Sequence, residues 1–78
     1  MRTYRFYLIN GETSEPLATE ELPDDLAAQR HASHLGITLF SKQPEVYRES
    51  EWKVRATDVE GFVVHDAPVV EGELHPMK

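Results

Sequence analysis

Only one stretch of this 78-residue chain has the spacing of a long amphipathic helix, which restricts the fold to a single helix laid on whatever sheet the rest can build. At 100° per residue, Ala28, Ala32, Leu35, Gly36 and Leu39 line up as one apolar stripe, and Leu26, Ile37 and Phe40 widen it. Ala27, Arg30, His31, His34 and Thr38 face away, while Gln29 and Ser33 interrupt the wide stripe. Leu22-Pro23-Asp24-Asp25 supplies the start. Aspartate side chains accept from free N–H groups and suit the positive end of the helix dipole, and Pro23 lacks an N–H that no intrahelical bond would use. The helix is predicted to run to about Phe40. Gly36 costs about 1 kcal/mol against alanine. It either breaks the helix or, as a small residue on the inner face, lets the helix approach a sheet closely.

The remainder reads as strands and loops. Thr3–Ile9 alternates, with Tyr4, Phe6 and Leu8 on one face and Thr3, Arg5, Tyr7 and Ile9 on the other. Asn10-Gly11 follows as a turn signal, because both residues tolerate positive φ. Glu12–Glu20 is acidic, contains Pro16 and does not alternate, so it is predicted to be a loop with at most a short extended piece near Leu17. Ser41–Ser50, with Pro44, is predicted to be a second loop. Trp52–Thr57 alternates with Trp52, Val54 and Ala56 inward. Asp58-Val59-Glu60-Gly61 makes a tight connection, and Phe62–Asp66 returns as a strand. Pro68 ends pairing.

The expected fold is therefore α+β: one domain over residues 1–67, in the order strand–helix–strand–strand, with a three-stranded antiparallel sheet and one helix on one face. The apolar run Phe62-Val63-Val64 places the last strand in the centre and leaves the other two as edges. Residues 68–78 are expected to form a loosely held tail. A domain of this size buries about 60% of its unfolded surface. That suffices for one thin core.

Composition bears mainly on which functions to doubt. The net charge is −6, divided as −4 over residues 1–25, +2 over 26–57 and −4 over 58–78. A negative surface repels phosphate backbones and anionic lipid, so neither nucleic acid nor membrane is an expected partner. The basic middle, Arg30, Lys42, Arg48, Lys53 and Arg55, reads as a solvated face or, secondarily, a local patch. No run approaches about 18 apolar residues, as a membrane helix requires. With no cysteine there are no disulfides, thiolate metal sites or cysteine catalysis. No secretory pattern opens the chain, and cytoplasm is the expected compartment.

Candidate chemistry is sparse. His31 and His34 sit three apart and could share a metal, but no third ligand is convincing; His65 lies on the last strand and His75 in the tail. Glu12, Glu15, Glu20, Glu21, Asp24 and Asp25 read as solvated acids. Ser14, Ser33, Ser41 and Ser50 lack a nucleophile elbow, and the glycines make no phosphate loop. Trp52, Tyr4 and Phe6 read as core. Tyr7, with Ile9 on the opposite sheet face, is the aromatic expected in an interface. No catalytic, cofactor-binding or metal-ligating residue is assigned, and no cofactor is expected.

The pattern resembles a family of short uncharacterised proteins, grouped as a domain of unknown function and common in rhizobia and other α-proteobacteria. The residues that carry the resemblance are Tyr4, Phe6 and Tyr7 ahead of Asn10-Gly11, then Glu21-Leu22-Pro23-Asp24 with Ala28 and Ala32. Trp52, Val54, Asp58-x-x-Gly61 and Val64 complete it. It covers roughly residues 3–66. The chain departs from it at Ala18-Thr19-Glu20, where such proteins often carry an acidic-glycine turn. The resemblance implies a bacterial cytoplasmic protein and supplies no activity or catalytic residue to transfer. Two expectations follow. The first is a non-enzymatic module for protein–protein contact or homodimerisation. The second is an oligomer that binds a small ligand or metal through His31 and His34.

Overall fold

The computed structural model describes residues 1–48 and 51–72. Their elements run β1 (Arg2–Asn10), β2 (Thr13–Leu22), α1 (Asp25–Lys42), a short α2 (Pro44–Tyr47), β3 (Lys53–Thr57) and β4 (Val63–Pro68). The sheet is antiparallel throughout and has four strands in the order β2-β1-β3-β4. Residues 49 and 50 of the predicted second loop, and residues 73–78 of the expected tail, His75 among them, lie outside the described residues.

The fourth strand is the acidic segment that was expected to be a loop. Asn10-Gly11 does turn the chain, with Gly11 at φ 60°, but the return continues along the whole of β1, from Asn10 opposite Thr13 to Arg2 opposite Leu22. β2 does not alternate because it lies at the sheet margin, where only Leu17, Ala18 and Leu22 are even half-buried. An edge strand can hold Pro16, whose missing N–H would break an interior ladder. The register slips beside it, between Phe6 and Tyr7 of β1.

The strand order corrects a second expectation. β1 and β3 are central and β4 is an edge. The Phe62-Val63-Val64 run is apolar without being enclosed: Phe62 is 67% and Val63 52% exposed. β1 takes the centre because it is the strand flanked by both a hairpin partner and β3.

The helix forms as its caps dictate. The Asp24 carboxylate accepts from the Ala27 N–H at 2.9 Å, and the helix passes through Gly36 without a break. Ala28, Ala32 and Gly36 are its buried residues and face the sheet. Beneath them lie Tyr4, Phe6, Val54, Ala56 and Ala67, all fully buried. Gly36 rides directly over the end of β4: a Cβ there would lie 2.5 Å from the Pro68 carbonyl oxygen. Within the segment predicted as the second loop, Pro44–Tyr47 makes one helical turn opened by Pro44.

Two further contacts anchor the layers. The Tyr4 hydroxyl donates to the Asp25 carboxylate at 2.7 Å. That bond, with burial, raises the Tyr4 pKa above its ordinary value. Past Ala67, Val69 is buried and its N–H donates to the Trp52 carbonyl at 3.0 Å.

Candidate functional site

Three surfaces could carry function: the sheet face away from α1, an aromatic groove, and the β4 edge with its hairpin. The first is built by alternation. Cross-strand partners share a face, so Arg5 with Thr57, Tyr7 with Arg55, and Ile9 with Lys53 all lie opposite the helix. Among the described residues, no helix covers this side. Asp66 is set beside Arg55 by the β3–β4 register. Arg55 donates to it twice, at 2.8 and 3.1 Å, and the Lys53 ammonium lies 3.4 Å away. These cations hold the Asp66 carboxyl below its ordinary range, Arg55 contributing most, against a smaller opposing effect of burial. The Arg55 guanidinium is correspondingly raised.

This face offers less apolar surface than the alternation of β1 implied. Ile9 is only 8% exposed and Tyr7 is half-buried, so neither stands out as an interface anchor. The face is polar, and its charges are partly satisfied within the sheet. Nor does the basic middle form one patch. Lys53 and Arg55 join Arg5 here, Arg30 is exposed on α1, and Arg48 lies over the Phe40 ring at 5.8 Å. The Arg55–Asp66 clamp was missed from sequence. It is recoverable by counting back from the Asp58–Gly61 turn, provided the register shift at Ala56/Thr57 is included.

The clamp yields a pH prediction. A carboxyl whose folded pKa lies below its unfolded value of about 3.9 stabilises the fold when ionised. The contribution is complete above that value and is lost as pH falls through the folded one. Asp66→Asn should therefore cost about 1 kcal/mol at pH 7. The gap between wild type and variant should narrow as pH falls below the unfolded value and through the lower folded one. Urea midpoints of both chains at pH 7 and pH 2 check this; a gap that persists undiminished in acid would contradict it.

The groove lies at the sheet end that holds Asn10 and Trp52. It has a volume of about 870 Å³ and is lined by Phe40, Tyr47, Trp52 and Val69, with Arg48 and Lys53 at its margin. Tyr47 meets Trp52 edge-on, with ring centroids 5.2 Å apart. The Trp52 indole N–H is buried without a hydrogen-bond partner among the described residues. Being closed off from solvent, it offers no donor to a ligand in this conformation.

The histidine pair is not assembled. His31 does not face away as the helical wheel implied: its ring packs edge-on against Phe6, centroids 4.8 Å apart. His34 remains exposed. Among the described residues no three His, Asp or Glu side chains cluster around a possible ion. Asp24 caps the helix, Asp25 in its first turn accepts from Tyr4, and Glu15, Glu20 and Glu21 are exposed on β2, with Glu12 exposed in the turn before it.

The two sheet edges are treated differently. β2 carries those glutamates, Pro16 and an irregular register, each of which discourages another strand from adding on. β4 has no such row of charges. Its hairpin is closed by a side chain: the Asp58 carboxylate accepts from the N–H groups of Glu60 and Phe62, at 2.9 and 3.0 Å, and Gly61 takes φ 90°. Beside and along it Val59, Phe62, Val63 and Val70 are exposed by 56, 67, 52 and 45%. Sequence reasoning missed this edge because it placed the same apolar run in the sheet centre.

No helix is long and apolar enough to cross a membrane among the described residues. No curated protein and no solved structure matches the chain. A sequence profile for a domain of unknown function, DUF6894, matches residues 3–70. Among the described residues that span takes in the four strands, apart from Arg2 at the start of β1, and both helices, as far as the buried Val69, and the chain belongs to the DUF6894 family.

Proposed function

We propose that the chain is a small non-enzymatic module that works by protein–protein contact. The observation that supports this reading is the group of large apolar side chains left in solvent around one sheet edge, Val59, Phe62, Val63 and Val70. Val59, Phe62 and Val63 lie together at the β3–β4 turn and the start of β4, with Val70 past its other end, and exposed apolar residues that adjoin one another mark contact surfaces. Of the acids in the first 25 residues, Glu15, Glu20 and Glu21 are exposed on β2, Glu12 in the turn before it, and Asp24 and Asp25 are engaged at the helix start. A bacterial, α-proteobacterial origin and a cytoplasmic compartment belong to the same reading.

The groove favours a second reading, a small-ligand binder, over a metal site at His31 and His34. Its aromatic walls would take a flat apolar molecule. Native mass spectrometry on protein drawn gently from its host separates the two. Protein-sized complexes without a small added mass are expected. A monomer carrying a stoichiometric small-molecule increment would overturn the contact reading.

A further inference from the structure

We infer that Val69–Gly72 is a strap that releases as a unit while the rest of the domain stays folded, and that its release opens one wall of the aromatic groove. The ladder of β4 ends at Pro68, which stays paired opposite Lys53. Beyond it the chain leaves the sheet and passes along α1, from buried Gly36 to half-buried Ile37. A Cβ on Gly36 would lie 3.5 Å from the Val69 Cα, and one on Gly72 would lie 3.1 Å from the Ile37 side chain. On the way, Val69, Val70 and Glu71 line the same groove as Phe40, Tyr47 and Trp52.

Little holds the strap in place. Among the described residues its backbone makes one hydrogen bond, from the Val69 N–H to the Trp52 carbonyl at 3.0 Å. Its one buried side chain is Val69, 4% exposed; Val70 is 45% exposed and Glu71 lies in solvent. Against these contacts stands the backbone freedom of four residues fixed outside any ladder. One hydrogen bond and one buried valine stabilise by an amount similar to that cost. Segments with few buried contacts and few backbone bonds open on their own, well below the free energy of global unfolding. Val54 is the contrast, fully buried in β3 and paired with both β1 and β4. Trp52 adds a reason to open. Its indole N–H is buried without a hydrogen-bond partner among the described residues, and a donor left unmet loses its hydration for nothing. Water admitted beside the released strap meets that donor. Strap closure thus sets when the aromatic wall can be reached.

The test is native-state hydrogen exchange on the full chain, followed by NMR at several low urea concentrations. The Val69 amide is expected to show a protection factor at least about a hundredfold below that of Val54, and one that hardly changes with urea. Val54, which exchanges only on global unfolding, should lose protection steadily as urea rises. Trp52 is the only tryptophan, so its fluorescence reports on the groove directly. Val69→Asp places a charge at the one buried side chain of the strap and should release it. Acrylamide quenching of Trp52 should then rise at least about twofold, with far-ultraviolet circular dichroism unchanged. Should Val69→Asp fail to fold, Val69→Ala is read in its place, and quenching should rise there too. A Val69 amide as protected as that of Val54, with the same urea slope, overturns the strap as a separate unit. A weakly protected Val69 with unchanged Trp52 quenching in the folded variant overturns its control of the groove.

Discussion

Gly36→Ala is expected to lower the stability of the fold by about 3 kcal/mol, although alanine is the better helix former by about 1 kcal/mol. The sign is decided by what the added methyl would meet. Its Cβ would lie 2.5 Å from the Pro68 carbonyl oxygen, 3.3 Å from the Pro68 carbonyl carbon and 3.5 Å from the Val69 Cα. All three are backbone atoms, so no side chain can rotate out of the way. Relief requires α1 to lift from the end of β4, which loosens the contact of buried Ala32 and Val69 with their surroundings. Equilibrium denaturation of the two chains measures the difference. Ser33→Ala, at an exposed position of the same helix, serves as the control and should gain a few tenths of a kcal/mol. A Gly36→Ala chain as stable as wild type would show that helix and sheet do not approach this closely.

Phe6→Ala is expected to cost about 4 kcal/mol. The ring is fully buried, lies between Ala18 of β2 and Ala56 of β3 on the helix-facing side, and supports the His31 ring from below. Its cross-strand neighbours are both alanines, so they cannot fill the space it leaves. A domain of this length has a total stability of about 4–12 kcal/mol. The loss therefore consumes a third or more of it, and at the lower end the variant does not fold. Thermal unfolding followed by near-ultraviolet circular dichroism is the check. Phe6→Leu, which keeps most of the volume, should lose clearly less. A Phe6→Ala variant that melts within a few degrees of wild type would mean that the core is centred elsewhere.

Much of the fold was legible in short stretches of chain. The alternation of Thr3–Ile9 correctly sent Tyr4, Phe6 and Leu8 to the helix side. Asp24 caps the helix, and Asp58 with Gly61 closes the last hairpin, as their side-chain and backbone chemistry require. β2 was not legible because pattern reports burial, and an edge strand with little buried on either face has almost no pattern to show. Its pairing was nonetheless signalled by Asn10-Gly11, a hairpin turn that needs a partner on its far side. The candidate site was legible only as composition: Phe62-Val63-Val64 is apolar wherever it lies.

What the order of residues determined on its own was therefore local: where the chain turns, which faces are apolar, where the helix starts, and that cysteine chemistry is closed to it. Strand order, and with it the difference between a buried run and an exposed edge, was decided only when the strands assembled. The physical reason is that strand pairing is made by backbone groups common to every residue. Many orders satisfy those hydrogen bonds equally. The choice among them falls to long-range packing under α1, where Gly36 meets Pro68 and His31 meets Phe6.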